Sequence, residues 1–226
     1  MPDLRFELPN SDRISVTIVT LFNAGYAGRR QEDVARHVHE LAALGVPAPS
    51  TTPSLYALPP YLAMQTREVF AHHDRTSGEG EWALVVAGPS DRDLLLTVAS
   101  DHTDRRLEAH GIAWSKQAGP DVLGRAAWRL VDVANRLDGI QLTAWADGQE
   151  IQRGTLADLL PPSYWIDVLR ERGQFRPGTV LLSGTIPMHH GVNQFSSSWR
   201  VALHDPEANA TIECAYEVRR LPEGIG

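Results

Sequence analysis

Gly78-Glu79-Gly80-Glu81-Trp82-Ala83-Leu84-Val85-Val86 passes from acidic residues straight into an apolar run. The apolar part is short and ends in two valines, so it predicts a buried strand. Side chains alternate across a strand, so Glu79 and Glu81 share a face at the mouth of that strand. A second apolar run, Leu94-Leu95-Leu96-Thr97-Val98-Ala99, leads to Asp101. If the two runs pair as neighbours, three carboxylates converge. Left unpaired they repel and are costly to desolvate. Around a hard divalent cation they form an expected ligand set.

The rest of the chain sets bounds on the function. Its 226 residues, 42% of them hydrophobic, suffice for one well-buried domain with a small appendage. A formal net charge of −7 argues against nucleic acid or an anionic membrane as partner, since either favours a basic patch. No apolar run reaches the roughly 18 residues of a membrane helix. The first residues lack the basic start and apolar core of a signal peptide. Cys214 is the single cysteine, so no internal disulfide forms, and the expected setting is the reducing cytoplasm.

Reading outward, residues 13–22 are β-rich, and Gln31 to Leu44 predicts an amphipathic helix with Val34, Val38 and Leu41 on one stripe. Gly45 and Pro47 supply its stop. Residues 46–60 hold Pro47, Pro49, Pro53, Pro59 and Pro60, which predicts an extended crossing. The expected organisation is an N-terminal strand, helix and crossing over residues 1–60, then a core over 61–226. Within the core, residues 102–120 read as polar, with helix around Ala113 to Lys116. A hairpin follows over Gln141–Ala146 and Gln149–Arg153, because Asp147-Gly148 is a type I′ turn signal. Thr155 to Arg172 reads as helical, restarted at Pro161-Pro162, and strands are expected over Thr179–Ser183, 197–204 and 210–219. The fold class is therefore α+β and β-rich.

Other residues offer chemistry. His37 and Glu40, three apart on the first helix, are surface neighbours, and a carboxylate beside a histidine orients it and raises its basicity, as a general base requires. A half-buried histidine with an incidental glutamate has the same spacing. Ser183-Gly184-Thr185, at a strand end, combines close backbone approach with a hydroxyl, which suits an oxyanion or carboxylate; the same triplet also serves as a plain turn. Lys116 is a cation able to stabilise an enolate. A competing centre would draw on His37, His39, His72, His73, His102, His189 and His190, a donor set for Zn or Fe.

The ordered set resembles the fumarylacetoacetate hydrolase superfamily. The matching segments are Arg36-His37-Val38-His39-Glu40, Gly78-Glu79-Gly80-Glu81-Trp82, Ser100-Asp101-His102-Thr103-Asp104-Arg105, Ser115-Lys116, Asp147-Gly148-Gln149-Glu150-Ile151-Gln152 and Pro177 through Thr185. The chain looks most like a compact bacterial branch marked by the Ser-Asp-His-Thr-Asp-Arg motif. The resemblance implies a mixed β-sheet roll of the fumarylacetoacetase C-terminal type with a small helical N-terminal appendage, and a homodimer. It implies Mg²⁺ or Mn²⁺, with Ca²⁺ a third candidate, on Glu79, Glu81 and Asp101. His37 and Glu40, on a lid-like segment, would activate water. Lys116 would meet the substrate oxyanion, and Arg105, Gly184 and Thr185 would contact the substrate, a small keto acid.

This chain departs from the superfamily at Ser100, at Thr179 and over Gly184 to Val192, around the substrate. The expected reaction is hydrolysis of a C–C bond in a β-dicarbonyl or acylpyruvate-type acid through an enolate. Decarboxylation, tautomerisation or hydration on the same site, or binding without turnover, are the alternatives.

Overall fold

The structure, a computed structural model, describes residues 1–43 and 49–225, and for positions 37 and 40–43 the backbone alone. The chain runs through β1 (Asp3–Glu7), β2 (Arg13–Thr17), β3 (Thr20–Gly25), α1 (Gln31–Ala43), β4 (Ser54–Leu58), β5 (Ala63–Met64), β6 (Glu68–Ala71) and β7 (Thr76–Val86). It continues through β8 (Leu94–Asp104), α2 (Arg105–Glu108), α3 (Ile112–Gln117), β9 (Asp121–Arg129), α4 (Leu130–Val133) and β10 (Gln141–Ala146). The last elements are β11 (Gln149–Thr155), α5 (Pro162–Glu171), β12 (Thr179–Leu182), β13 (Ser198–Asp205) and β14 (Ala210–Arg220).

Two mixed sheets hold these strands. The larger has the order β2-β1-β9-β8-β7-β12-β3-β4, with β5 paired to β9, and the smaller β11-β10-β13-β14-β6. The two apolar runs do pair: β7 and β8 are antiparallel from Thr76↔Asp104 to Val86↔Leu94. Alternation then divides their side chains. Trp82, Leu84, Leu96 and Val98 face the smaller sheet, meeting Leu142, Ile151, Val201 and Leu203. Ala83, Val85, Leu95 and Ala99 share the other buried cluster with Phe6, Val16, Leu21, Leu58, Leu123 and Val180. Members of that second cluster come from strands across the whole larger sheet, so the sheet curls around its own inner face. Each fully buried Leu or Val there contributes about 1.5–3 kcal/mol. This is the β-rich α+β roll expected from the sequence.

The structure refines several elements. The strand expected over 13–22 is two strands, because β2 pairs with β1 while β3 pairs with β12. The chain changes partner at Ile18-Val19, where Val19 and Thr20 both donate to the Gly178 carbonyl, at 2.9 and 3.2 Å. Within the proline-rich crossing, Ser54–Leu58 forms β4 on β3. Strands on both sides of residue 60 therefore share one sheet. The helical stretch expected from Thr155 opens as a single 3₁₀ turn, Leu156–Asp158, capped by Thr155, and the α-helix starts at Pro162, because proline fits a helix's first turn but not its interior. The helix stop at Gly45 and Pro47 lies outside the described residues.

The hairpin forms as expected, with positive φ at Asp147 (47°) and Gly148 (79°), as a type I′ turn requires. At the end of β10 away from this turn, a buried acid secures the end of β13. Asp205 accepts from Arg136 Nε at 2.6 Å and from the Glu207 and Ala208 N–H groups at 3.1 and 3.3 Å. Burial opposes its ionisation, but these donors prevail and hold its pKa below the usual carboxylate value. Its stabilisation is thus present above the unfolded carboxyl pKa of about 3.9 and disappears as pH falls through the lower folded value. Asp205→Ala is expected to cost about 2 kcal/mol in urea unfolding at pH 7, the scale of a charge-assisted bond. The gap from wild type should narrow below about pH 4.

Candidate metal centre and active site

Strand register assembles the centre. Glu79 lies opposite Asp101, and Asp101 lies opposite Asp121, so three carboxylates form a row across β7, β8 and β9. Cross-strand partners share a face, and Glu81, two residues from Glu79, joins the row from β7. Oxygens of Glu79, Glu81 and Asp101 all lie within 4.8 Å of one another. Glu81, Asp101 and Asp121 are buried. The glycines of Gly-Glu-Gly-Glu let the smaller sheet come close behind them. A Cβ on Gly78 would lie 2.5 Å from the Tyr216 hydroxyl, and one on Gly80 would lie 3.1 Å from the Ala144 Cβ.

Two cations enter this cluster. Lys116, from α3, donates to Asp101 and lies 3.5 Å from Glu79 Oε2. Arg105 donates from Nη2 to Glu79 Oε1 at 2.8 Å. Burial disfavours the Glu79 carboxylate, but Arg105 and Lys116 outweigh it and hold its pKa down at about 2. Burial also presses on the Lys116 ammonium, yet Asp101, Glu79 and Glu81 raise its pKa above the ordinary value. Glu81 differs: burial pushes its pKa well up, and although Lys116 opposes this, Asp101 and Glu79 add to it. Asp121 is raised in the same way by burial and by Asp101.

Several polar atoms here remain without partners. Glu81 Oε1, Asp101 Oδ1 and Asp121 Oδ2 accept no hydrogen bond from the described residues, although all three are buried. Such orphans are rare and costly in a packed interior. An all-oxygen donor set with unfilled lone pairs fits a hard divalent ion such as Mg²⁺, Mn²⁺ or Ca²⁺.

The strand-end triplet is used internally. The Gly184 N–H donates to Glu81 Oε2 at 2.7 Å, so it does hold a carboxylate, but the protein's own. Thr185 Oγ1 donates to the Gly80 carbonyl at 2.8 Å and accepts from Gln152 Nε2 at 2.8 Å. Gln152 in turn accepts from the Gly80 N–H at 2.9 Å. This clamp holds the Gly184-Thr185 turn against the acidic end of β7. A cleft of about 320 Å³ opens beside it, lined by Glu79, Arg105, Glu108, Gln152, Thr185 and Met188, among others. A larger recess of about 1330 Å³, between β9 and the β13–β14 pair, contains none of the clustered carboxylates.

His37 and Glu40 belong to α1, but their side chains lie outside the described residues. No histidine centre is assembled among the described residues, which leave out the His37 side chain. Among the described residues the one group able to hold a metal is the carboxylate trio. His102 is buried with both ring nitrogens engaged, Nδ1 with the Tyr216 hydroxyl at 3.0 Å and Nε2 with Thr76 Oγ1 at 2.9 Å. Burial, helped by Arg105, lowers its pKa to about 4, so the ring is neutral at pH 7. His73 pairs with Asp104 and His189 with Glu150.

Sequence reasoning missed Asp121 because β9 was not recognised. Gly119-Pro120 followed by Asp121-Val122-Leu123, a turn and then an apolar run, was a usable signal. Glu108 was missed as well; its place depends on how α2 is capped. Asp104 Oδ1 accepts from the N–H groups of Arg106 and Leu107, at 2.9 and 3.1 Å, which starts the helix at Arg105.

No curated protein matches the chain by sequence. Solved structures share its fold. A protein from Oleispira antarctica assigned as a fumarylacetoacetate isomerase/hydrolase is 23% identical with a TM-score of 0.68, over 97% of this chain and 100% of that one. A fumarylpyruvate hydrolase from Pseudomonas aeruginosa, in complex with Mn²⁺ and pyruvate, is 16% identical with a TM-score of 0.62, over 99% of this chain and 97% of that one. A 5-carboxymethyl-2-hydroxymuconate delta-isomerase from Mycobacterium smegmatis is 19% identical with a TM-score of 0.58, over 92% of this chain and 79% of that one. The fold is thus that of the fumarylacetoacetate hydrolase type, as the ordered motifs implied. No helix among the described residues is long and apolar enough to cross a membrane. A family model covers residues 24–216, and the chain belongs to that family, described as Protein of unknown function (DUF2848).

Proposed function

We propose that this protein is a divalent-metal-dependent hydrolase that cleaves a C–C bond in a small β-dicarbonyl or acylpyruvate-type keto acid. The observation that carries the reading is the convergence of Glu79, Glu81 and Asp101 beside a cleft, with buried carboxylate oxygens left partnerless. A bound Mg²⁺ or Mn²⁺ would supply Lewis-acid polarisation of two neighbouring substrate oxygens. The fold shared with a fumarylpyruvate hydrolase holding Mn²⁺ and pyruvate supports the same choice.

In this reading His37, oriented by Glu40, takes a proton from water at an imidazole nitrogen, and the water oxygen adds to the carbonyl beside the scissile bond. That bond then breaks with its electron pair leaving as an enolate, which the Lys116 ammonium stabilises before it is protonated. Gly184 and Thr185 border the substrate and hold Glu81 and β7 in place. The chain works as a cytoplasmic homodimer in which residues 1–60 contribute the lid-like α1.

The test is a screen of acylpyruvates, oxaloacetate and related keto acids with Mg²⁺ or Mn²⁺, products being read by NMR. The protein used should have its mass, expected at two chains, measured by light scattering. His37→Ala should lower turnover by about 100-fold or more, the contribution of a positioned base. Turnover at the wild-type rate in that variant would remove His37 from the mechanism. A metal-loaded wild type that binds these acids but turns none over would favour a binding module.

A further inference from the structure

Arg105 is the one arginine or lysine among the described residues that line the cleft. Its side chain is 14% exposed, and every nitrogen of its guanidinium already has a partner. Nε donates to Ser77 Oγ at 2.6 Å, and Nη2 to Glu79 Oε1 at 2.8 Å. Nη1 reaches both oxygens of Glu108, at 3.0 and 3.2 Å. Glu108 stands three residues along α2 from Arg105, the spacing at which helical side chains meet. Its own side chain is 35% exposed and borders the cleft. Gln194, also at the cleft, has its Oε1 taken by Ser77.

A guanidinium committed to two carboxylates has little to offer a third. A free arginine beside a metal centre would grip a second substrate carboxylate bidentately. Here the group that faces an incoming ligand from this pair is instead the carboxylate of Glu108, which repels anions and accepts hydrogen bonds. Thr185 and Gln152 add no competing donor, because they are bonded to each other and to Gly80.

We propose that Glu108 is a specificity-determining residue: by occupying the one guanidinium that lines the cleft among the described residues, it excludes substrates with a second carboxylate. The site takes keto acids whose end remote from the metal is uncharged. This rests on the metal-dependent keto-acid reading above and narrows its substrate class.

Two probes of equal length separate the cases: 2-oxopentanoate, with an uncharged end, and 2-oxoglutarate, with a second carboxylate. Calorimetric titration of each into the Mn²⁺-loaded full chain should show 2-oxopentanoate binding at least about tenfold more tightly, since a like-charge contact disfavours the dianion. Glu108→Gln keeps the size of the side chain and removes its charge. It should raise 2-oxoglutarate affinity by about tenfold and leave 2-oxopentanoate within about threefold. Equal binding of the two acids by the wild type, or a ratio that Glu108→Gln does not move, overturns the proposal alone. If neither acid binds the Mn²⁺-loaded wild type, the keto-acid reading fails, and the proposal falls with it.

Discussion

Replacing Glu79 and Glu81 together by glutamine is expected to lower Mn²⁺ affinity by about 1000-fold or more, since affinity for a hard ion depends steeply on how many charged oxygens hold it. Glutamine keeps the volume of each side chain. At position 81 its amide oxygen can still accept from the Gly184 N–H, so the turn is retained. What disappears is two of the three carboxylates whose oxygens lie within 4.8 Å of one another. Lys116 keeps Asp101, and Arg105 keeps Glu108, so neither cation is left unpaired. The variant should therefore fold. It should lose some stability through position 79, where Arg105 and Lys116 favour the ionised carboxylate, and little through position 81, where burial already opposes ionisation. Isothermal titration with Mn²⁺ and urea unfolding of the metal-free protein read the two expectations separately. Wild-type affinity in the variant would remove the carboxylate trio as the metal site.

The second large effect concerns the backbone under the centre. Gly119 lies where an added Cβ would come within 1.9 Å of the His102 carbonyl oxygen. The neighbouring Pro120 carbonyl accepts from the His102 N–H at 3.1 Å, so this segment is laid directly against β8. Both sides of the contact are main chain and neither can move aside as a flexible side chain would. Gly119→Ala should destabilise the protein by at least about 4 kcal/mol, at the upper end for a single substitution. Any folded fraction should bind Mn²⁺ poorly, because relief of the clash shifts His102 or Asp121, and these flank or face Asp101. Chemical unfolding provides the measurement. A variant within about 1 kcal/mol of wild type would show that the segment accommodates a methyl group, contrary to this packing.

Much of this was legible in the chain itself, for identifiable reasons. The short continuous apolar runs Trp82–Val86 and Leu94–Ala99 are local signals, and so is the Asp147-Gly148 turn; all three formed where expected. The convergence of Glu79, Glu81 and Asp101 followed from one assumption, that the two apolar runs pair. What was hidden depends on partners distant in sequence. β2 and β3 look continuous in sequence, and only the identity of their neighbours divides them. Asp121 lies just past the polar segment 102–120, and only the pairing of β9 with β8 sets it across from Asp101. The commitments of Arg105, Gly184 and Thr185 were equally hidden, because residue type and spacing show what a group can bond, not what it has already bonded.

The position of the acidic row in the sheet has one more consequence. Asp101 stands on β8, with strands hydrogen-bonded on both sides as far as β2 in one direction and β4 in the other. Edge strands fray first and central ones open last. Carboxylates on such strands keep their places while the edges fluctuate, so an ion taken up by Glu79, Glu81 and Asp101 would bind the folded chain and not the unfolded one. Mass action turns that linkage into protection, because the folded population grows with free ion concentration above the dissociation constant. Supply of the ion in the cell would thus govern how long each molecule survives, apart from any effect on turnover.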